Sequence, residues 1–146
     1  MKQTIEQALA PVVGQPLWAV GRAASLVWFQ FGERRVVADR QGSRREVGSY
    51  ALHLDCPWSW TRSWGEVIVD HESDHDELSD ALAIPVCCQS IDARDNGSFR
   101  MHFDDHTMLT VAVEADPDPA AEEYWRFFEP YVDTPHFVVG AGGVAR

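Results

Sequence analysis

Positive charge is scarce in this chain. Twelve lysines and arginines stand against 23 aspartates and glutamates, giving a formal net charge of −11 over 146 residues. Such a field repels nucleic-acid phosphates and anionic lipid, so neither nucleic acid nor a membrane is expected as a partner; it favours solubility and a basic protein partner. Cysteine is also scarce. Cys56, Cys87 and Cys88 make an odd number with no C-x-x-C spacing, which argues against a disulfide framework and for reduced thiols in a cytoplasmic protein. No apolar run is long enough for a helical membrane span, and "MKQTIEQALAPVVG" lacks the apolar stretch of a signal peptide. No G-x-S-x-G elbow is present. The glycines of "GAGGVAR" precede no helix that could cradle a phosphate.

What is present is an ordinary globular balance, 45% hydrophobic and 24% charged. The length predicts one domain, residues 1–146, able to hold a full core without metal or disulfides. Thr4 and Gln7 have the spacing of a capping box, and Ile5, Ala8 and Leu9 share a helical face before Pro11. "LWAV" and "SLVWFQF" read as strands, the second apolar enough for burial on both faces. "ERRVVAD" and "REVGSYALHLD" flank the turn cluster "RQGS" as a long hairpin, and "EVIVD" is a short alternating strand. "SDHDELSDALAIP" predicts a middle helix with Ser73 as cap, acids in its first turn and a Leu78–Ala81–Leu82 stripe. "VCCQSIDA", "SFRMHF" and "MLTVAVEA" follow as strands, with Asn96-Gly97 as a hairpin signal. Adjacent Cys87 and Cys88 would then point to opposite faces. Asp118 and Pro119 resemble a helix start, "AAEEYWRFFE" a helix with Ala121, Trp125 and Phe128 on one face, "HFVVG" a last strand and "AGGVAR" a loose tail. The fold class expected is α+β: a curled, mostly antiparallel sheet with short N-terminal, middle and C-terminal helices.

Three segments could carry function. In "DHESDHDE", His71 and His75 are four apart among carboxylates, letters that fit His-Glu-x-x-His; imidazole and carboxylate suit zinc or another divalent ion. Dipole compensation at a helix start explains the same acids without a metal. "HFDDH" repeats the spacing with His102 and His106 on a hairpin. The hairpin carrying Arg34, Arg35, Arg40, Arg44 and Arg45 is basic, but Glu33, Asp39 and Glu46 between them fit cross-strand ion pairs. In "YALHLDCPWSWTRSW", Trp58, Trp60 and Trp64 surround Arg62. Tryptophan and arginine are enriched in binding hot spots, and Arg62 can stack on an indole. Pro57 is expected to end the strand, placing the tryptophans on a connector, with Trp58 in the core and Trp60 or Trp64 as the exposed contact. Cys56 near His53 suggests a thiol nucleophile, but alternation puts them on different faces and favours a packed thiol.

The same stretch resembles an uncharacterised family of small bacterial, mostly actinobacterial, proteins with a Y-A-L-H-x-x-C-P-W core. The matching residues are Tyr50, Ala51, Leu52, His53, Cys56, Pro57 and Trp58, then Trp125-Arg126, then His136 to Val139. An arginine commonly follows the tryptophan in that pattern; Ser59 does here. The resemblance implies a shared fold and no assigned activity.

Two functions follow as expectations. One is a non-enzymatic acidic protein that binds a protein partner, as immunity proteins bind toxic nucleases, through Trp60, Arg62, Trp64, Asp74, Asp76 and Glu77. The other is a zinc-type hydrolase in which His71 and His75 hold a divalent metal that activates water. A homodimer through a sheet edge or the tryptophan segment is compatible with either.

Overall fold

The computed structural model describes residues 1–113, 123–141 and 143–145. Two α-helices lie among them, α1 (Lys2–Leu9) and α2 (His75–Ala81), with a 3-10 turn at Ala10–Val12. The strands are β1 (Pro16–Ala23), β2 (Leu26–Phe31), β3 (Arg35–Ala38), β4 (Arg44–Val47), β5 (Tyr50–Leu54), β6 (Trp58–Arg62), β7 (Val67–Asp70), β8 (Val86–Ala93), β9 (Phe99–Phe103), β10 (Thr107–Val111), β11 (Trp125–Phe128), β12 (Phe137–Gly140) and β13 (Gly143–Ala145). Eleven form one sheet in the order β13-β12-β11-β5-β2-β1-β8-β9-β10-β6-β7, and β3 with β4 forms a separate ribbon. Every pairing is antiparallel. The architecture is thus predominantly antiparallel sheet with short helices.

The strands cannot lie in one flat layer. Five strand steps separate β9 from β11, which in a flat sheet is about 24 Å. Yet Phe99 meets Trp125 edge-on, with ring centroids 4.8 Å apart. Phe29 on β2 meets Trp58 on β6 at 5.3 Å in the same way. The Trp125 indole N–H donates to the Gly97 carbonyl, 2.9 Å away. The core therefore lies between two halves of the same sheet, and Leu52, Leu54, Met101 and Leu109 within it are fully buried. Strand β1 joins the halves: it pairs with β2 along its length and with β8 through Pro16 and Leu17.

Several local expectations are met. Ile5 and Leu9 of α1 are buried, as are Leu78 and Leu82 at α2, with Ala8 and Ala81 packed beside them. The turn before β9 closes with Gly97 at φ +98°, a conformation glycine adopts without cost. Cys88 is buried while Cys87, its neighbour on β8, is half-buried on the other face. Cys56 packs against the core.

Others are corrected. Helix α1 begins at Lys2, before the Thr4–Gln7 pair, and carries no side-chain cap. The cap of α2 is Asp74, which accepts from the Glu77 N–H while Glu77 accepts from the Asp74 N–H. Ser73 instead turns its hydroxyl to the Asp70 N–H. The expected long hairpin divides at Gly48: β4 pairs with β3, but β5 pairs with β2 and β11. Gly48 permits this, since a Cβ there would lie 2.2 Å from the Phe31 carbonyl oxygen. Pro57 ends one strand, but Trp58 at once starts another rather than a connector. The expected C-terminal helix is wrong in its second half. Trp125 to Phe128 is strand, with Trp125 and Phe127 buried and Arg126 and Phe128 half-buried in strict alternation. Asp118, Pro119 and Ala121 lie outside the described residues. The supposed loose tail contributes β13, paired with β12.

Candidate functional site

The corner built by α2, β6, β7 and the start of β10 gathers several of the residues singled out in sequence. A hollow of about 460 Å³ there is lined by Trp60, Arg62, Glu77, Asp80, Asp105 and Thr107, among others. The elements come together because β6 pairs with both β10 and β7, while α2 packs over β7 and β1. Arg22 on β1 ties the approach to α2 in place: its Nη1 donates to the His71 and Ser73 carbonyls, each at 2.7 Å.

The tryptophans separate cleanly. Trp58 and Trp60 alternate inward on β6 and are 2% exposed. Trp60 is thus a buried wall residue and not an exposed contact. Among the described residues its indole N–H has no hydrogen-bond partner, and neither has that of Trp58. Trp64 lies beyond the strand, before a turn at Gly65 with φ +93°, and is 71% exposed. The Arg62 guanidinium sits 5.7 Å from the Trp64 ring centre, and Glu66 accepts from the Trp64 indole at 3.2 Å. Trp64, Arg62 and Glu66 therefore form an exposed stacked group, with Arg62 and Glu66 3.7 Å apart.

The acids at this corner differ in how far they are committed. Asp74 and Glu77 hold the helix cap. Asp105 accepts from the Thr107 N–H at 3.2 Å and from its hydroxyl, closing the turn between β9 and β10. Asp76 is fully exposed, with His75 near it at 3.9 Å. Asp80 is exposed and lines the hollow.

The histidines occupy separate local settings. His71 lies in the turn before α2, its Nδ1 3.4 Å from the Trp58 carbonyl. His75 opens α2 and is 65% exposed. His102 on β9 and His106, in a left-handed turn at φ +65°, share another hollow with Ser63 and Gln89. Among the described residues, no three His, Cys, Asp or Glu side chains come together as a metal would require. On the basic ribbon, Arg34 stands 4.0 Å from Glu46 and stacks over Trp18 at 4.4 Å, while Arg35 donates to the Pro130 carbonyl.

A second cluster was visible in sequence only through the resemblance. His53 and Arg126 are direct cross-strand partners on β5 and β11. Arg126 donates to both Glu123 carboxylate oxygens, one at 3.0 Å, and its Nη1 lies 2.9 Å from the His136 Nδ1. A guanidinium is always a donor. The His136 Nδ1 must therefore accept, which fixes a neutral ring with its proton on Nε2. The pKa of His53 is held below the ordinary 6.5, first by burial and then by the Arg126 charge. His136 is lowered by the same two causes in the same order. Phe128 joins the rings, meeting His53 edge-on at 4.7 Å and stacking on His136 at 4.4 Å. The Cys88 thiol, by contrast, is pushed up to about 11 by burial, the opposite of what a thiolate nucleophile needs.

Comparison with protein-family models, curated proteins and solved structures returns no match to this chain.

Proposed function

We propose that this protein is a non-enzymatic binding protein that engages a basic protein partner through the corner formed by α2, β6 and β7. One observation carries the proposal: three segments remote in sequence, β6 with Trp60 and Arg62, α2 with Glu77 and Asp80, and the turn holding Asp105, line one hollow. Three carboxylates at its wall favour a cationic side chain, and the exposed Trp64 offers apolar area at its edge. The formal charge of −11 adds long-range attraction, which raises association rate and specificity more than affinity. A cytoplasmic location and the kinship with small bacterial proteins belong to the same proposal.

The test is partner capture by a doubly reversed variant, Asp76→Lys with Asp80→Lys. These positions are chosen because Asp74 and Glu77 also hold the helix cap, so reversing them would confound binding with folding. Capture is expected to fall sharply, and capture by the unaltered protein to weaken with added salt. Equal recovery of the same partner by both proteins would remove the corner from the binding surface.

A further inference from the structure

A different cavity, at the end of β5, β11 and β12, has the chemistry of a small-molecule site. Its volume is about 350 Å³, within the range of ligand pockets. Tyr50, Phe127, Phe128 and Phe137 supply rings to its wall, and Ala8 of α1 closes one side. The rings are set before any ligand arrives. Tyr50 and Phe127 stack at 5.6 Å and 14°, and Phe128 and His136 stack at 4.4 Å and 20°. Among the described residues, Glu129 is the one formally charged side chain on the lining. Its Oε2 accepts from the Thr134 hydroxyl at 3.0 Å, and its Oε1 accepts from no other described residue. His136 enters the wall as a neutral ring, because Arg126 occupies its Nδ1. The Arg126 charge is itself met by Glu123. An anion would thus face a carboxylate with no counter-charge on the wall. A cation would face that carboxylate and several π faces, which attract positive charge.

We propose that this cavity binds a small amphipathic amine, its apolar body against the aromatic rings and its ammonium group beside the Glu129 carboxylate. The inference is independent of the basic-partner corner and of any metal.

Three isosteric probes decide it: 2-phenylethylammonium, 2-phenylethanol and 3-phenylpropionate, each titrated into the full chain and followed by calorimetry and by amide chemical shifts. The ammonium is expected to bind about tenfold tighter than the alcohol, the worth of one desolvated cation–carboxylate and cation–π set. The carboxylate is expected not to bind. Glu129→Gln should remove most of the ammonium's advantage over the alcohol, leaving the part due to the π faces, without lowering the melting temperature. Ala8→Phe, which fills the cavity from α1, should abolish binding of both. Binding of the propionate as tight as that of the ammonium would overturn the proposal. So would ammonium binding indifferent to both substitutions, or no binding by any probe.

Discussion

Two charged regions of this molecule use their charges in opposite ways. At the end of the sheet bearing β11 and β12, charge is spent internally. Arg126 is held by both oxygens of Glu123 and by His136, and both imidazoles nearby are kept neutral. At the corner of α2, β6 and β7, part of the charge is unspent. The Asp76 and Asp80 carboxylates accept no hydrogen bond from another described residue, while Asp74, Glu77 and Asp105 are tied to backbone. The difference separates structural charge from charge available to a partner, which net charge alone cannot do.

The contrast can be broken most forcefully at Arg126. Arg126→Met removes a charge-assisted bond set from a half-buried site and should cost about 1–2 kcal/mol in urea unfolding, toward the low end for charged hydrogen bonds because the pair is partly solvated. It should also raise the His136 titration toward its ordinary value, read by NMR, since the guanidinium is one of the two causes lowering it. A stability loss without movement of His136 would mean that burial alone sets that ring.

At the corner, Asp74→Ala should cost about 1 kcal/mol, the usual worth of an N-cap. Ser73→Ala should leave the cap intact, since Ser73 bonds Asp70 instead. Amide exchange in α2 would distinguish the two. If Ser73→Ala frays the helix as much as Asp74→Ala does, the cap assignment is wrong.

Acid should act on the cluster of His53 and His136 and on Glu6 of α1 in different windows. His53 and His136 titrate lower in the folded chain than in the unfolded one, so the unfolded chain takes up protons first as pH falls. Their contribution is complete above pH 6.5 and is lost as pH falls through their folded values. Glu6, lowered first by the Ala93 N–H and then by Lys2, loses its contribution only below its ordinary 4.5. Stability measured from pH 7 to pH 5 should therefore decline, and His136→Gln should flatten the slope. An unchanged slope in that variant would place the acid response elsewhere.

The smallest effect is expected from the unspent acids. Asp76→Lys with Asp80→Lys should cost less than about 1 kcal/mol, most of it from Asp76, which lies in the first turn of α2 at the positive end of the helix dipole. A larger loss would show that these carboxylates are structural after all.

Much of this fold was legible because local chemistry agreed with it. The apolar stripe of α2, the Asn96-Gly97 turn, the alternation of "EVIVD" and the placing of Cys88 inward each depend on near neighbours. Two failures were also local. Ser73 and Asp74 are both good caps, and only the position of the Asp70 N–H decides between them. Aromatic "YWRFF" suits helix and strand alike, and pairing with β5 and β12 settles it as strand. The site was less legible. Sequence pointed to Trp60, Arg62 and Glu77 separately, but joining them with Asp105 requires β10 to pair with β6, a long-range event. It also could not tell Trp60 from Trp64, because the turn after Arg62 breaks the alternation that would have kept them on one face. His71 and His75 had the letters of a metal motif, but α2 begins only at His75, so His71 never joins its face.

The Trp60 indole, a buried N–H at the wall of the acidic hollow with no hydrogen-bond partner among the described residues, gives the most direct test of partner binding. The measurement is an NMR titration of the labelled protein with a short, blocked arginine peptide, following all indole and amide signals. Progressive shifts in the Trp60 indole and in Arg62, Asp80 and Asp105, abolished by Asp76→Lys with Asp80→Lys, are the predicted result. Weak shifts scattered over every acidic surface residue, including Asp39 and Glu72, and equal in the variant, would contradict it.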